Sequence, residues 1–304
     1  MPSTLIFIVG PTAIGKTALA VKLAKRINGE IISCDSMQVY KGMRILSQAP
    51  RPAEKKSAKH YLVGSLDPKN EYSVADFRIR ASGIIEEVIR RKKVPIVVGG
   101  SGLYVKGLVD GLFPSPKADL KFRKSMEEFA LKAGSGKLHE KLCKLDPESA
   151  RLIHPNDRRR IVRALEIYNA TGRTMTELKS QTRGLRDRYD IKIYGLIKPR
   201  EEIYSSINLR VEKMFKCGLV REVRSLKRKR LSRTAKGALG YKEIAGYING
   251  DYDLDTASVI LKRNTRRFAK RQLAWFRGDR RIKWIDLGKT STIAAVRKIA
   301  REVK

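Results

Sequence analysis

Apolar residues in this chain follow two arrangements. Short continuous runs, Thr4–Val9 (TLIFIV), Glu30–Cys34 (EIISC) and Val94–Val98 (VPIVV), read as strands buried on both faces, and Ile191–Ile197 reads as one more strand. Between them the spacing turns helical: Leu19, Leu23 and Ile27 share one face of Ala18–Ile27, and Ile84–Ile89 reads as helix. Strands alternating with helices predict an α/β fold with a parallel sheet covered on both sides. From Pro114 to Asp190 only the helical pattern is present. Phe122, Met126 and Phe129 repeat at i, i+4, i+7, as do Leu138, Leu142 and Leu145. Ile161, Leu165 and Tyr168 follow after Pro155-Asn156, with a stop at Gly172. Thr174-x-x-Glu177 fits a capping box. The expected organisation is an α/β core from residues 1–116 and 191–304, with a helical insertion domain over 117–190 bounded by Pro114/Pro116 and Gly184. Beyond Pro199 the chain reads as mostly helical and basic.

Charge changes the picture more than composition does. Of 304 residues, 66 are Lys or Arg and 31 are Asp or Glu, a net charge of +35. Such an excess builds a positive field that attracts polyanions, and nucleic acid is the expected partner ahead of a basic surface without function or an anionic membrane. Cys34, Cys143 and Cys217 form no C-x-x-C pair and no array of zinc-ligand spacing, so a reduced, cytoplasmic protein is expected. No apolar stretch approaches the ~20 residues of a membrane span. A monomer is the expected state.

Gly10-Pro11-Thr12-Ala13-Ile14-Gly15-Lys16-Thr17 matches G-x-x-x-x-G-K-[ST] between a strand and a helix. In that context backbone N–H groups turn inward on a diphosphate, and the helix N-terminus adds partial positive charge. Lys16 supplies a point charge, and the Thr17 hydroxyl is a candidate Mg²⁺ ligand. ATP is the usual occupant of such a loop, and a small-molecule or nucleoside kinase is the alternative reading. A magnesium-holding acid should then end a buried strand. Val94–Val98 instead runs into Gly99-Gly100-Ser101, and Asp67, after Tyr61–Leu66, is a weak substitute.

Asp35 ends the second strand, at the sheet edge where ligands bind in open parallel sheets. A carboxylate there can take a proton as a new bond forms on a weakly nucleophilic amine. It can equally cap the following turn or help hold magnesium, and the residues alone leave both readings open. Between Lys262 and Lys283 there are ten basic residues and one acidic, with Lys262/Arg263, Arg266/Arg267 and Lys270/Arg271 recurring every four. With Phe268, Trp275 and Phe276 interleaved, this stretch reads either as a phosphate-tracking helix or as structure with the aromatics in the core.

Six strings give the chain a wider resemblance: GPTAIGKTALA (Gly10–Ala20), ISCDSMQVYKGM (Ile32–Met43), VVGGSGLYVKGL (Val97–Leu108), NDRRRIVRALEIYNATGR (Asn156–Arg173), ALGYKEI (Ala238–Ile244) and TRRFAKRQLAWFR (Thr265–Arg277). In this order, over nearly the whole length, they resemble the tRNA dimethylallyltransferase (tRNA isopentenyltransferase) family. The resemblance implies a core similar to P-loop nucleotide kinases. It implies dimethylallyl diphosphate in the cradle, with Mg²⁺, and transfer of the prenyl group to N6 of the adenosine at tRNA position 37, 3′ of the anticodon, in tRNAs reading codons that begin with U. Residue by residue it implies Asp35 as general base, with Thr12 and Arg210 holding the leaving diphosphate and Lys16 and Thr17 contacting phosphate and metal. Asp35, Ser36, Met37 and Gln38 would face the target base, and Ser101 and Arg123 the tRNA beside the reaction channel. Arg159, Arg160, Ile161, Val162, Arg163, Gly240, Tyr241, Lys242 and Glu243 would grip the anticodon loop. The chain departs from the family pattern at Ile14, where a small residue is usual and the outer face of the loop is expected to change. It departs also at Ser101, often Thr, and at Leu66-Asp67-Pro68.

Overall fold

The computed structural model describes residues 3–113, 116 and 118–303. Six strands form one all-parallel sheet: β1 Thr4–Val9, β2 Gly29–Cys34, β3 His60–Tyr61, β4 Val94–Gly99, β5 Asp190–Ile197 and β6 Ile282–Asp286, in the order β3-β2-β4-β1-β5-β6. Leu5 to Val9 have no exposed surface, and Ile32, Ile96, Val97 and Leu196 are equally sealed. The apolar runs are continuous because the central strands are covered on both faces. β6 was not foreseen: its IKWID segment, with Ile282 and Ile285 buried and Lys283 exposed, carries the charge of a surface element.

Register places the chemistry. Val9 pairs with Gly99 and Cys34 also pairs with Gly99, so β1, β2 and β4 end level. The next residues, Gly10, Asp35 and Gly100, therefore emerge side by side at the carboxyl edge of the sheet, where open α/β folds bind ligands. The helix after the first loop is Lys16–Arg26, with Leu19, Ala20, Leu23 and Ala24 buried against the sheet. The basic stretch as far as Arg277 lies on one helix, Leu254–Arg277, that buries Leu261, Thr265, Ala269, Gln272 and Phe276. It stops at Arg277. Arg281 pairs with Asp279, and Lys283 belongs to β6 and pairs with Glu302, so the basic run to Lys283 is not one helix.

The chain divides into two compact units, Met1–Val109 with Arg188–Lys304, and Asp110–Asp187. Pro114 and Lys117, expected at the boundary, lie outside the described residues. The second unit is helical, with helices Leu120–Ala133, Ser135–Leu145 and Arg158–Thr171 around a core of Leu138, Leu142, Ile153, Ile161, Val162 and Leu165. Phe122, Met126 and Phe129 pack against that core. Leu145 and Tyr168, placed on the apolar faces by spacing alone, are exposed: Leu145 is the last residue of its helix, and Tyr168 lies in the final turn of its own. The Thr174 capping box forms as the sequence predicts.

Candidate active site at the sheet edge

The loop Gly10–Thr17 leaves β1 with Gly10 at φ 143°, a conformation that L-residues rarely adopt. The Lys16 ammonium folds back onto its own loop and donates to the carbonyls of Gly10 (3.0 Å) and Pro11 (2.7 Å). Ile14 is 3% exposed, so its side chain packs beneath the loop; the expected change to the outer face does not arise. The Thr17 hydroxyl lies in the first turn of the following helix.

Arg210, from the helix Arg200–Lys216, reaches the same loop and donates from Nη1 to Thr12 Oγ1 at 2.8 Å. Its Nε donates to Gln48 Oε1 at 2.6 Å. Gln48 is held in turn: its Nε2 donates to the Ile45 carbonyl, and its own carbonyl accepts from Gln38 Nε2 at 3.2 Å. Gln38 Oε1 accepts from Ser33 Oγ at 2.8 Å. One chain of hydrogen bonds thus runs from β2 through Gln38 and Gln48 to Arg210 and Thr12. Gln48 carries no motif and was missed. It sits at φ 53°, an arrangement that costs energy in a residue with a side chain and that clusters at functional sites.

Gln272 lies within the string Thr265–Arg277, whose basic and aromatic pattern does not single it out. It is 7% exposed on the basic helix. Its Oε1 accepts from the Thr12 N–H at 2.8 Å, and its Nε2 donates to the Gly100 carbonyl at 3.0 Å. A Cβ at Gly100 would fall 2.1 Å from that Nε2, so only glycine lets the two loops and the helix lock together.

Both readings of Asp35 coexist. Oδ1 accepts from the N–H groups of Met37 (2.8 Å) and Gln38 (3.3 Å) and so caps the turn. Among the described residues none donates a hydrogen bond to Oδ2. Burial pushes the Lys16 amine down to about 7, helped by the Arg210 charge, while Asp35 pulls it back up. Burial also pushes Arg210 down to about 10, against the pull of Asp35 and Glu54, so it stays charged at neutral pH. Binding a diphosphate should restore the Lys16 proton. At pH 8 the bound anion is expected to draw up to one proton from solvent, read as a dependence of calorimetric enthalpy on the ionisation heat of the buffer. Lys16→Met should abolish that dependence.

Other expected contact residues fare differently. Ser36, Met37 and Ser101 are partly exposed at the carboxyl edge. Gly240 starts the helix Tyr241–Asn249, and Glu243 is 8% exposed, accepting from the Gly240 N–H and from Asn264 Nδ2. Its carboxylate therefore caps a helix, while Lys242 is exposed and Tyr241 half-buried. In the helical unit Arg159 and Arg160 are exposed. Ile161 and Val162 are 0% and 5% exposed, so their side chains belong to the core and are not available to a loop of RNA. Arg123 donates twice to Glu166, at 2.9 and 2.8 Å, and Arg163 pairs with the same carboxylate. Burial of Glu166 works upward on its carboxyl, but the hydrogen bonds from Arg123 and Arg163 outweigh it and hold it below the usual range. Both arginines thus have a structural partner within the unit.

On the basic helix Phe276 is 2% exposed, whereas Trp275 is 51% exposed. Asp67, the substitute for a magnesium-holding acid, lies in an exposed turn and accepts from the Lys69 N–H. Among the described residues no cluster of three or more His, Cys, Asp or Glu could hold a metal, and no helix is long and apolar enough to cross a membrane.

A P-loop motif at the head of a parallel sheet, with Arg210 beside it and a carboxylate at the neighbouring strand end, is the arrangement of a P-loop α/β enzyme. The model of IPP transferases matches residues 38–279, and that of isopentenyl transferases residues 3–70. A tRNA dimethylallyltransferase of Carboxydothermus hydrogenoformans is 47% identical over 304 residues, covering 99% of this chain and 98% of the relative. That of Halothermothrix orenii is 45% identical, covering 99% and 92%. A crystal structure of the tRNA isopentenylpyrophosphate transferase of Bacillus halodurans superposes with a TM-score of 0.73 at 38% identity, covering 100% of this chain and 96% of that one. A eukaryotic dimethylallyltransferase caught acting on tRNA superposes at 0.79 and 29% identity, covering 98% and 78%. This chain belongs to the tRNA dimethylallyltransferases, a family of prenyltransferases, and the kinase reading is not favoured.

Proposed function

We propose that this chain transfers a dimethylallyl group from dimethylallyl diphosphate to N6 of the adenosine at position 37, 3′ of the anticodon, in tRNAs reading UNN codons, as a cytoplasmic monomer. The observation that carries the reading is the level ending of β1, β2 and β4, which sets the phosphate loop, Asp35 and Ser101 on one edge. The diphosphate docks on Gly10–Thr17. Lys16, Arg210 and Thr12 take up the charge that develops on the leaving diphosphate, a preorganised electrostatic contribution of the kind that usually dominates catalysis. The N6 lone pair attacks the allylic C1 as the C1–O bond breaks, and its electron pair leaves with the diphosphate. The N6 proton passes to Asp35 Oδ2. A single hydroxyl, that of Thr17, fits a Mg²⁺ that keeps most of its ligands as water and phosphate oxygen. When bound, the ion neutralises part of the diphosphate charge.

The test is mass spectrometry of an anticodon stem-loop incubated with protein, Mg²⁺ and dimethylallyl diphosphate, with ATP as the parallel donor. A prenyl-sized gain on the adenosine beside the anticodon, with the diphosphate and not with ATP, is expected. Phosphate transfer or hydrolysis from ATP without any prenyl gain would overturn the reading.

A further inference from the structure

The exposed face of the helix Leu254–Arg277 carries one inclined row at four-residue spacing: Arg263, Arg267, Arg271 and Trp275, all exposed. Side chains four apart on a helix are neighbours, so three guanidiniums lead to an indole. Trp275 is one of two tryptophans in the chain and keeps half its surface in solvent, a poor place for so large an apolar ring without a function. Its pyrrole edge is pinned. A Cβ built on Gly102 would lie 2.1 Å from Trp275 Cδ1 and 2.3 Å from Nε1, so the ring rests directly on the backbone of residue 102. That contact fixes the rotamer before any ligand arrives. The backbone it rests on follows Ser101 and Gly100, and Gly100 is tied through Gln272, one turn back on the same helix, to Thr12 of the phosphate loop. The indole is therefore held close to the reacting edge, at the end of a positive row.

We propose that Trp275 is a stacking platform for an unpaired nucleobase of the RNA substrate, with Arg263, Arg267 and Arg271 following the phosphates that lead to it. Charge complementarity selects the occupant. A row of arginines repels a basic partner, whereas single-stranded nucleic acid is held by this combination of cations and an aromatic face. Stacking tolerates any base, so the platform contributes affinity and loop geometry, not sequence choice. The inference rests on the proposed tRNA substrate.

Trp284→Phe leaves Trp275 as the sole indole, and its folding is checked by unchanged prenyl transfer. Titrating that protein with an anticodon stem-loop is expected to quench the remaining fluorescence, saturating at the dissociation constant given by RNA anisotropy. Trp275→Ala should weaken stem-loop binding roughly 10- to 100-fold. Trp275→Tyr should recover most of the loss and Trp275→Leu should not, which separates stacking from packing. Abasic substitutions along the loop identify the base: at one position Trp275→Ala should have no further effect. Prenyl transfer by the wild type with no quench and an unchanged Kd in Trp275→Ala overturns the stacking inference alone. So does a dimer that Trp275→Ala dissociates, since the indole would then be an interface between copies. No transfer by the wild type removes the substrate reading, and the inference with it.

Discussion

Asp35→Asn is expected to lower single-turnover prenyl transfer by roughly 10²- to 10⁴-fold, the usual contribution of a positioned general base, with little change in stem-loop affinity. The choice of asparagine matters. Asp35 uses Oδ1 to cap the turn through the Met37 and Gln38 N–H groups, and an amide oxygen can do the same. The turn that presents Ser36, Met37 and Gln38 should survive, and what is lost is the acceptor at Oδ2. Asp35→Ala removes cap and base together, so a larger drop in RNA binding for alanine than for asparagine would measure the cap separately. Rapid-quench rates with both variants, beside anisotropy for affinity, decide the matter. Equal losses in rate and affinity for Asp35→Asn would make the carboxylate a structural cap and leave the base elsewhere.

How far such roles can be read before a structure depends on whether the cause is local. The strands β1, β2, β4 and β5 are legible because each is a short, largely apolar run, and the phosphate loop is legible because its spacing encodes a backbone shape. β6 is short and half polar, and only its pairing with β5 makes it a strand. Asp35 could be picked out by its place at a strand end, yet its two oxygens divide between two roles that no pattern separates. Gln48 illustrates the opposite limit: its importance comes from a positive φ and three partners, one of them 162 residues away, none of which leaves a mark in composition. The arginines of the helical unit show the hazard of carrying contacts by motif. Arg163 sits in a basic string that suits RNA and Arg123 is carried over by the resemblance, but Glu166, 1% exposed, already claims both. Trp275 and Phe276 are neighbours in sequence and point to solvent and core respectively, a distinction that depends on the helix phase.

The second large effect is expected at Arg210. Arg210→Ala should cost about 10²- to 10³-fold in turnover, the range for removing one donor from a preorganised anion site. Arg210→Lys should not restore it, because a single ammonium cannot serve the Gln48 oxygen and the Thr12 hydroxyl from one rigid fork. Protonation sharpens the point. Lys16 is pushed down to about 7, so it is the group whose charge varies across the working pH, whereas Arg210, pushed down only to about 10, stays charged. A lysine at 210 would stand in the same desolvated spot and compete with Lys16 for one proton. Turnover of Arg210→Lys should therefore fall more steeply above neutral pH than that of the wild type. Gln48 aims the fork, so Gln48→Leu should lower kcat by about tenfold with a small change in KM, and in the Arg210→Ala background it should have almost no effect. Side chains in direct contact couple in this way, and a double-mutant cycle reads the coupling directly. Additive losses would show that Gln48 acts on the loop around residues 45–48 and not through the guanidinium, leaving Arg210 to be positioned by Thr12 alone.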